Sequence, residues 1–249
     1  MIIIYIISFF LILFFLGFIS IIVGKKIDFS LDYYNANRES VNLAPKPHTT
    51  QDAIIHVYAA RAFNWRGIFA VHTWIAFKYQ NAPHYEVLQV VGWRKYRGLP
   101  PLLKETDIPD RAWYGQKPKI ILEIRGKKAE KLIPKIMKAS DEYPYQGYQI
   151  WPGPNSNTFT ALVGRKVKEL GLTMPANAIG KDYLGSYQFF SRAPSGTGYQ
   201  ISLWGIFGIL VAFHEGFEIN FLSFIFGISP RYLVVKIPCV GDFGLFKMQ

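Results

Sequence analysis

Only one cysteine, Cys239, occurs in 249 residues. An intramolecular disulfide is therefore excluded, and so is any thiolate cluster that would hold a metal. Because Cys239 lies in the apolar run VVKIPCV, it reads as a buried structural thiol rather than a nucleophile. Charge is missing too: Met1 to Gly24 contains no Lys, Arg, Asp or Glu. At ~1.5 Å per residue, Met1–Val23 is about 35 Å long as a helix, enough for a hydrocarbon core of ~30 Å and longer than a signal-peptide core. No small-x-small cleavage site or lipid-accepting Cys follows it, so an uncleaved membrane anchor is expected over 1–24. Lys25 and Lys26 after the span, with only the α-amino group before it, favour a cytoplasmic body by the positive-inside rule. A signal anchor with a very short leading region gives the opposite sense, and export of the body is the expectation carried forward.

Nucleic-acid signatures are absent. The 28 Lys and Arg against 17 Asp and Glu give a net charge of +11, which suits anionic lipid headgroups or envelope polymers. The basic residues are scattered, however, with Arg94-Lys95-Tyr96-Arg97 and Lys127-Lys128 the densest places. No zinc-finger, helix-turn-helix or RNP pattern accompanies them, so a solvated charged face is expected and no nucleic-acid partner.

What remains is a body rich in aromatics and turn formers, with 20 Phe, 15 Tyr, 6 Trp, 21 Gly and 15 Pro. The composition points to an α+β domain of short elements over 51–249, preceded by a polar tether over 25–50 that lifts it off the membrane. Gly67–Lys78 and Pro83–Trp93 read as paired strands and Lys119–Arg125 as a third. Lys127–Pro144 has helical spacing, with Pro134 as a kink or first-turn residue. Asn155-Ser156-Asn157-Thr158 reads as the capped start of a helix ending at Gly171. Ile201–Phe213 and Ile219–Ile228 are too short to span a membrane as helices and read as two long buried strands, with a membrane-apposed hairpin as the minor alternative.

Most motif-like stretches fail on inspection. Ala193–Tyr199 is Gly-rich but precedes a strand, and Gly180-Lys181-Asp182 places Asp where a phosphate loop needs a hydroxyl. His214-Glu215-Gly216-Phe217-Glu218 has Glu218 where a zinc protease needs its second His. Neither metal nor cofactor is expected. One constellation survives: His72 as a strand-borne base, His84 or Glu86 on the neighbouring strand as its orienter, and Ser156 at a helix N-terminus as nucleophile. Trp74 and Trp151 would wall the pocket, with Asn155 and Asn157 as substrate-binding groups. Each has a plain structural reading beside this one: a core His, surface groups, a helix cap.

The stretches YAARAFNWRGIFAVHTWIAFK, YEVLQVVGW, WPGPNSNTF, LTMPANAIGKDY, APSGTGYQISLWG and EGFEINFLSFIFGI resemble the signature blocks of a family of membrane-anchored proteobacterial proteins, domain of unknown function 3750. More distantly, the order His, then His or Glu, then Asn-x at a helix start resembles the circularly permuted NlpC/P60 papain-like hydrolases, including lecithin retinol acyltransferase-type proteins. That resemblance implies a permuted papain-like fold, with an antiparallel sheet and a few packed helices, acting on or binding an amide- or ester-bearing envelope component at the periplasmic side of a bacterial inner membrane. Ser156 stands where the family has cysteine, so an imidazolium–thiolate pair is impossible and His72 would have to act as a neutral general base. The rival reading is a non-catalytic module docking on a membrane or a partner protein.

Overall fold

A computed structural model describes residues 1–244, with side chains described for all of them except Ile2, Ile3, Ile6 and Ile7; the last five residues of the expected body lie outside it. Strands β1 (Ile54–Arg61), β2 (Val71–Lys78), β3 (Glu86–Val90), β4 (Leu102–Thr106) and β5 (Lys119–Arg125) form an antiparallel sheet in the order β4-β3-β2-β1-β5. Alternation along the strands gives the sheet two apolar faces. Ile55, Val57, Ile75, Phe77 and Leu88 face helices α3 (Gly126–Asp141) and α4 (Ser156–Lys166), where Leu132, Ile133, Ile136, Phe159 and Val163 complete the main core. Full burial of each such side chain stabilises by ~1.5–3 kcal/mol. Pro134 does not start α3: it lies inside the helix on the exposed side, where the carbonyl it leaves without a donor can reach water.

Tyr58, Trp74, Ala76 and Val87 form the opposite face. Here the polar segment 25–50 is not a free tether. Asp110 accepts hydrogen bonds from Ser40 Oγ (2.7 Å), Leu43 N (2.5 Å) and Ala44 N (3.0 Å), while Ala112 N donates to Glu39 O and Gly115 N to Asn37 O, both at 2.8 Å. A buried carboxylate collecting three donors straps the segment along loop 107–116.

The C-terminal third departs most from expectation. Strands β6 (Phe190–Arg192), β7 (Gly198–Leu203), β8 (Phe207–Ala212), β9 (Gly216–Phe221), β10 (Phe224–Ser229), β11 (Val234–Ile237) and β12 (Gly241–Gly244) form a seven-stranded antiparallel meander. Ile201–Phe213 and Ile219–Ile228 are thus each a hairpin and not one long strand. The second turns on Leu222 and Ser223, both with positive φ, in the tight geometry that usually calls for Asn-Gly. Trp151 Nε1 donates to Leu222 O and Ser223 Oγ to Gly205 O, and these bonds hold a turn whose residues do not announce it.

The alternation in this sheet is inverted. Gln200, Ser202, Glu218, Asn220 and Lys236 point inward and are buried, whereas Ile201, Leu203, Ile209, Val211 and Phe217 point outward and are exposed. Inside, Lys181 Nζ bonds Glu218 Oε2 (2.5 Å) and Asp182 Oδ1 (3.0 Å), Lys236 Nζ bonds Glu218 Oε1, and Asn220 Nδ2 bonds Asp182 Oδ2 (3.0 Å). Burial alone would raise the Glu218 carboxyl, but its two ammonium partners pull it down to about 2.

Helix α1 (Ile2–Val23) lies against this body. Phe10 packs edge-on to Phe226, Phe14 to Phe224, and Phe14 and Phe18 meet Phe69 of the short helix α2 (Arg66–Phe69). A Cβ on Gly17 would come within 2.3 Å of Pro238 O, so only glycine permits this approach. Ile21 and Cys239 are buried together with Ile27 and Ile68, and burial pushes the Cys239 thiol up to about 12, in keeping with an inert structural role. Among the described residues, no helix is long and apolar enough to cross a membrane.

The buried ion cluster predicts a specific mutational pattern. Glu218→Gln leaves two buried ammonium groups facing a neutral amide and should cost ~3–5 kcal/mol in equilibrium denaturation. Combining Glu218→Leu with Lys236→Met, which leaves Lys181 its Asp182 partner, should cost markedly less than the sum of the single changes.

Candidate functional site

Helix α4 begins where the sequence places it, and the cap is Asn155. Its Oδ1 accepts from Asn157 N (2.9 Å) and Thr158 N (3.2 Å), and Thr158 Oγ1 accepts from Asn155 N (3.1 Å), a reciprocal capping box. Asn155 Nδ2 donates to Ile150 O and Ile179 O. Asn157 Nδ2 donates to Val71 O and Ile179 O, while its Oδ1 accepts from Thr73 Oγ1 at 2.9 Å. Both asparagines, expected to bind substrate, are thereby buried and committed to holding α4, β2 and loop 175–180 together.

Thr73 is the residue that β2 presents to α4, bonding Asn157 Oδ1 and Thr160 Oγ1 (3.0 Å). Strand alternation then sends its neighbour His72 to the other face of the sheet. The His72 ring stacks on Trp113 with centroids 3.6 Å apart and planes 7° from parallel, and it lies near Trp74. Its Nε2 meets Gln89 Oε1 at 3.2 Å. Among the described residues no hydrogen bond joins His72 to Ser156. Ser156 is buried in the first turn of α4, on the helix side of the sheet.

The expected orienters are also elsewhere. Glu86 pairs with Phe77 across the strands, five residues along β2 from His72, and bonds Thr106 Oγ1 (2.9 Å) and the half-exposed His84 (3.4 Å). Gln89, on the same face as His72, has the role assigned to His84 or Glu86. Trp74 donates to Pro109 O (2.8 Å) on the strapped face, whereas Trp151 stands half-exposed at the β9–β10 turn, so they do not share a pocket. A groove lined by Arg94, Lys104, Glu105, Asp141 and Tyr145 contains none of the expected site residues.

Two clusters escaped the sequence reading. One is the aromatic stack Trp93–Trp113–His72, with Tyr114 edge-on to both tryptophans. Its only sequence signal is the Trp113-Tyr114 pair in a loop with no periodicity. The other is His56, whose Nδ1 meets Tyr58 OH (2.8 Å) and whose Nε2 meets Glu123 Oε2 (2.7 Å). Burial pushes the His56 ring down against the pull of Glu123, while Arg125 and His56 hold Glu123 below the usual carboxylate range. Alternation of His56 with Tyr58 at period 2 was visible, but the partner of His56 on β5, Glu123, was not.

Burial pushes His72 down to about 3, opposed by its bond to Gln89, so the ring is neutral throughout the physiological range and is a weak base. The unfolded chain takes up this proton below pH ~6.5 and the folded chain only near 3, so stability is full above 6.5 and declines as pH falls through that window, by on the order of 3–5 kcal/mol. Replacing His72 by Phe, which keeps a stacking ring and removes the titration, should flatten that part of the pH–stability curve. Comparing the two curves between pH 6.5 and 3.5 isolates the His72 share from that of the carboxylates.

No curated protein and no solved structure gives a match to this chain. A family model described as "Protein of unknown function (DUF3750)" matches residues 52–183, which run from β1 through α4 and stop before β6. Because that match takes in the first sheet, both of its packed helices and the capped N-terminus of α4, the chain belongs to the DUF3750 family of proteins of unknown function.

Proposed function

We propose that this is a membrane-anchored protein of the bacterial cell envelope, held by α1 with its body on the periplasmic side, and that the family domain is a binding or docking module rather than a serine hydrolase. The observation that carries the reading is α1 itself. It turns Phe10, Phe14 and Gly17 to the body while leaving Phe9, Ile12, Phe15, Leu16 and Ile19 more than half exposed, on a flank that carries no charged side chain. With Ile2 and its neighbours included, the helix is about 33 Å long. The excess of basic residues suits an anionic envelope component or lipid as ligand.

A permuted papain-like scaffold remains a reading supported by the order of elements: a strand bearing His72, a neighbour bearing Gln89, and a later helix opening at Asn155-Ser156. Hydrolysis asks more of it. Ser156 needs a base in reach to take its proton, and His72 lies across the sheet, turned to Gln89 and depressed in basicity.

Two measurements test this. Fluorophosphonate should fail to label the wild-type chain, and Asn155→Ala should cost ~1–2 kcal/mol of stability while Ser156→Ala costs a few tenths, since Asn155 is the cap. Labelling that vanishes in Ser156→Ala would restore the hydrolase. In cells, the chain should stay with the membrane pellet through alkaline carbonate and be digested by protease added to intact spheroplasts. Release by carbonate would remove the anchor, and protection from protease until the membrane is ruptured would place the body in the cytoplasm.

A further inference from the structure

We propose that the outer face of the seven-stranded sheet is a lipid-docking surface whose occupant is the acyl-chain layer of the bilayer that receives α1. The inference deepens the anchoring reading and rests on it. Seven strands at ~4.8 Å spacing and about six residues at ~3.3 Å give a face of about 30 Å by 20 Å, beyond the patch an ordinary soluble surface leaves open. Across it, register stacks apolar side chains in rows: Leu203, Phe207 and Phe221 in one, Ile201, Ile209 and Ile219 in the next, Tyr199, Val211 and Phe217 in the third. Ile201, Ile209, Val211 and Phe221 are each more than half exposed.

Three observations select lipid as the occupant. First, α1 is seated on this same face: Phe224 and Phe226, which receive Phe14 and Phe10, pair across the strands with the outward Phe221 and Ile219. The uncharged helix and the sheet therefore form one continuous apolar surface, and whatever solvent takes the helix also meets the sheet. Second, the inward face holds Glu218, Lys236, Gln200 and Asn220, so the sheet cannot turn over to bury its apolar side against the body. Third, the margins carry groups suited to an interface: Arg231 lies 4.3 Å over the Phe213 ring, Arg192 lies 5.5 Å over Tyr199, and Trp204 is half-exposed at the opposite end. Because the edge strands β6 and β12 have backbone groups that cannot be left dry in hydrocarbon, the face engages acyl chains through its side chains while the strand backbones stay at headgroup level.

The test uses the full chain in vesicles of phosphatidylcholine and phosphatidylglycerol, in a Cys239→Ala background, with single nitroxide labels on Ile201→Cys, Ile209→Cys or Phe217→Cys. Leu16→Cys on α1 and Lys127→Cys on α3 serve as references, the latter exposed and remote from the face. Collision rates with oxygen, which concentrates in acyl chains, and with a water-soluble nickel chelate are measured for each label. The three sheet labels should match Leu16 and show an oxygen-to-nickel ratio several-fold above Lys127. Sheet labels that behave like Lys127 while Leu16 stays in lipid would overturn the docking face and leave the anchor standing. Mutual dipolar broadening between sheet labels, with shielding from both reagents, would overturn it in favour of a second copy of the chain. A water-exposed Leu16 label would instead mark failure of the anchoring reading itself.

Discussion

Glu218 held between Lys181 and Lys236 is the contact on which the C-terminal half depends. A sheet whose alternate residues are apolar and polar ordinarily buries the apolar set, since that removes hydrocarbon from water and leaves charge hydrated. Here the buried set includes a carboxylate, an ammonium and two amides, and burying them unpaired would cost several kcal/mol each. The Lys–Glu–Lys arrangement, extended through Asp182 to Asn220, offsets that cost and locks the orientation of the sheet. With this orientation fixed, the apolar residues have nowhere to go but out, and α1 finds aromatic side chains to lie against.

The first sheet follows the ordinary rule, and its chemistry follows from which neighbour points where. Thr73 and His72 are adjacent in sequence and opposite in direction. The threonine, buried among Asn157 and Thr160, welds α4 to the sheet; the histidine enters an aromatic stack on the strapped face. A base and a nucleophile that the order of elements would bring together are thus on opposite faces of the sheet. The stack has its own consequence: sandwiched against Trp113 and bonded through one nitrogen to Gln89, the imidazole is desolvated and stays neutral, which suits a packing and positioning role.

Much of the first sheet was legible in the sequence, because β-branched runs such as Val71–Lys78 and the cap signal at Asn155 are local. Helix α3 was legible from its spacing in spite of Pro134, which the fold places on the exposed side. The strap was not legible, since Asp110 and Ser40 are 70 residues apart and nothing local marks the carboxylate as a collector of donors. The hairpins were missed for a different reason: Leu222-Ser223 supplies none of the turn chemistry that a two-residue loop ordinarily shows, and Trp204-Gly205 lies within an apolar run that reads as continuous strand. Alternation was visible in Tyr199-Gln200-Ile201-Ser202-Leu203, but a period of two says only that there are two faces. Which of them is inside was decided by Lys181 and Lys236, residues outside the pattern.

The two halves meet around α1, and this joins the membrane question to the site question. Phe14 and Phe18 pack on Phe69 of α2, and Ile21 and Ile27 are buried with Ile68; three residues beyond Phe69 comes His72. Arg61, paired with Val71 across the strands, donates to Cys239 O (2.6 Å) and Val240 O (3.1 Å), and Asn177, whose carbonyl receives Val71 N, reaches the same two carbonyls. The end of β2 that carries His72 and Thr73 is therefore tied at once to α1, to the connection between β11 and β12, and through Asn157 to α4. Any displacement of α1 from the body must be felt first at this end of the sheet, because interdigitated cores transmit shifts rather than absorb them. The Trp113–His72–Gln89 cluster thus lies at the end of the first sheet that is tied to α1.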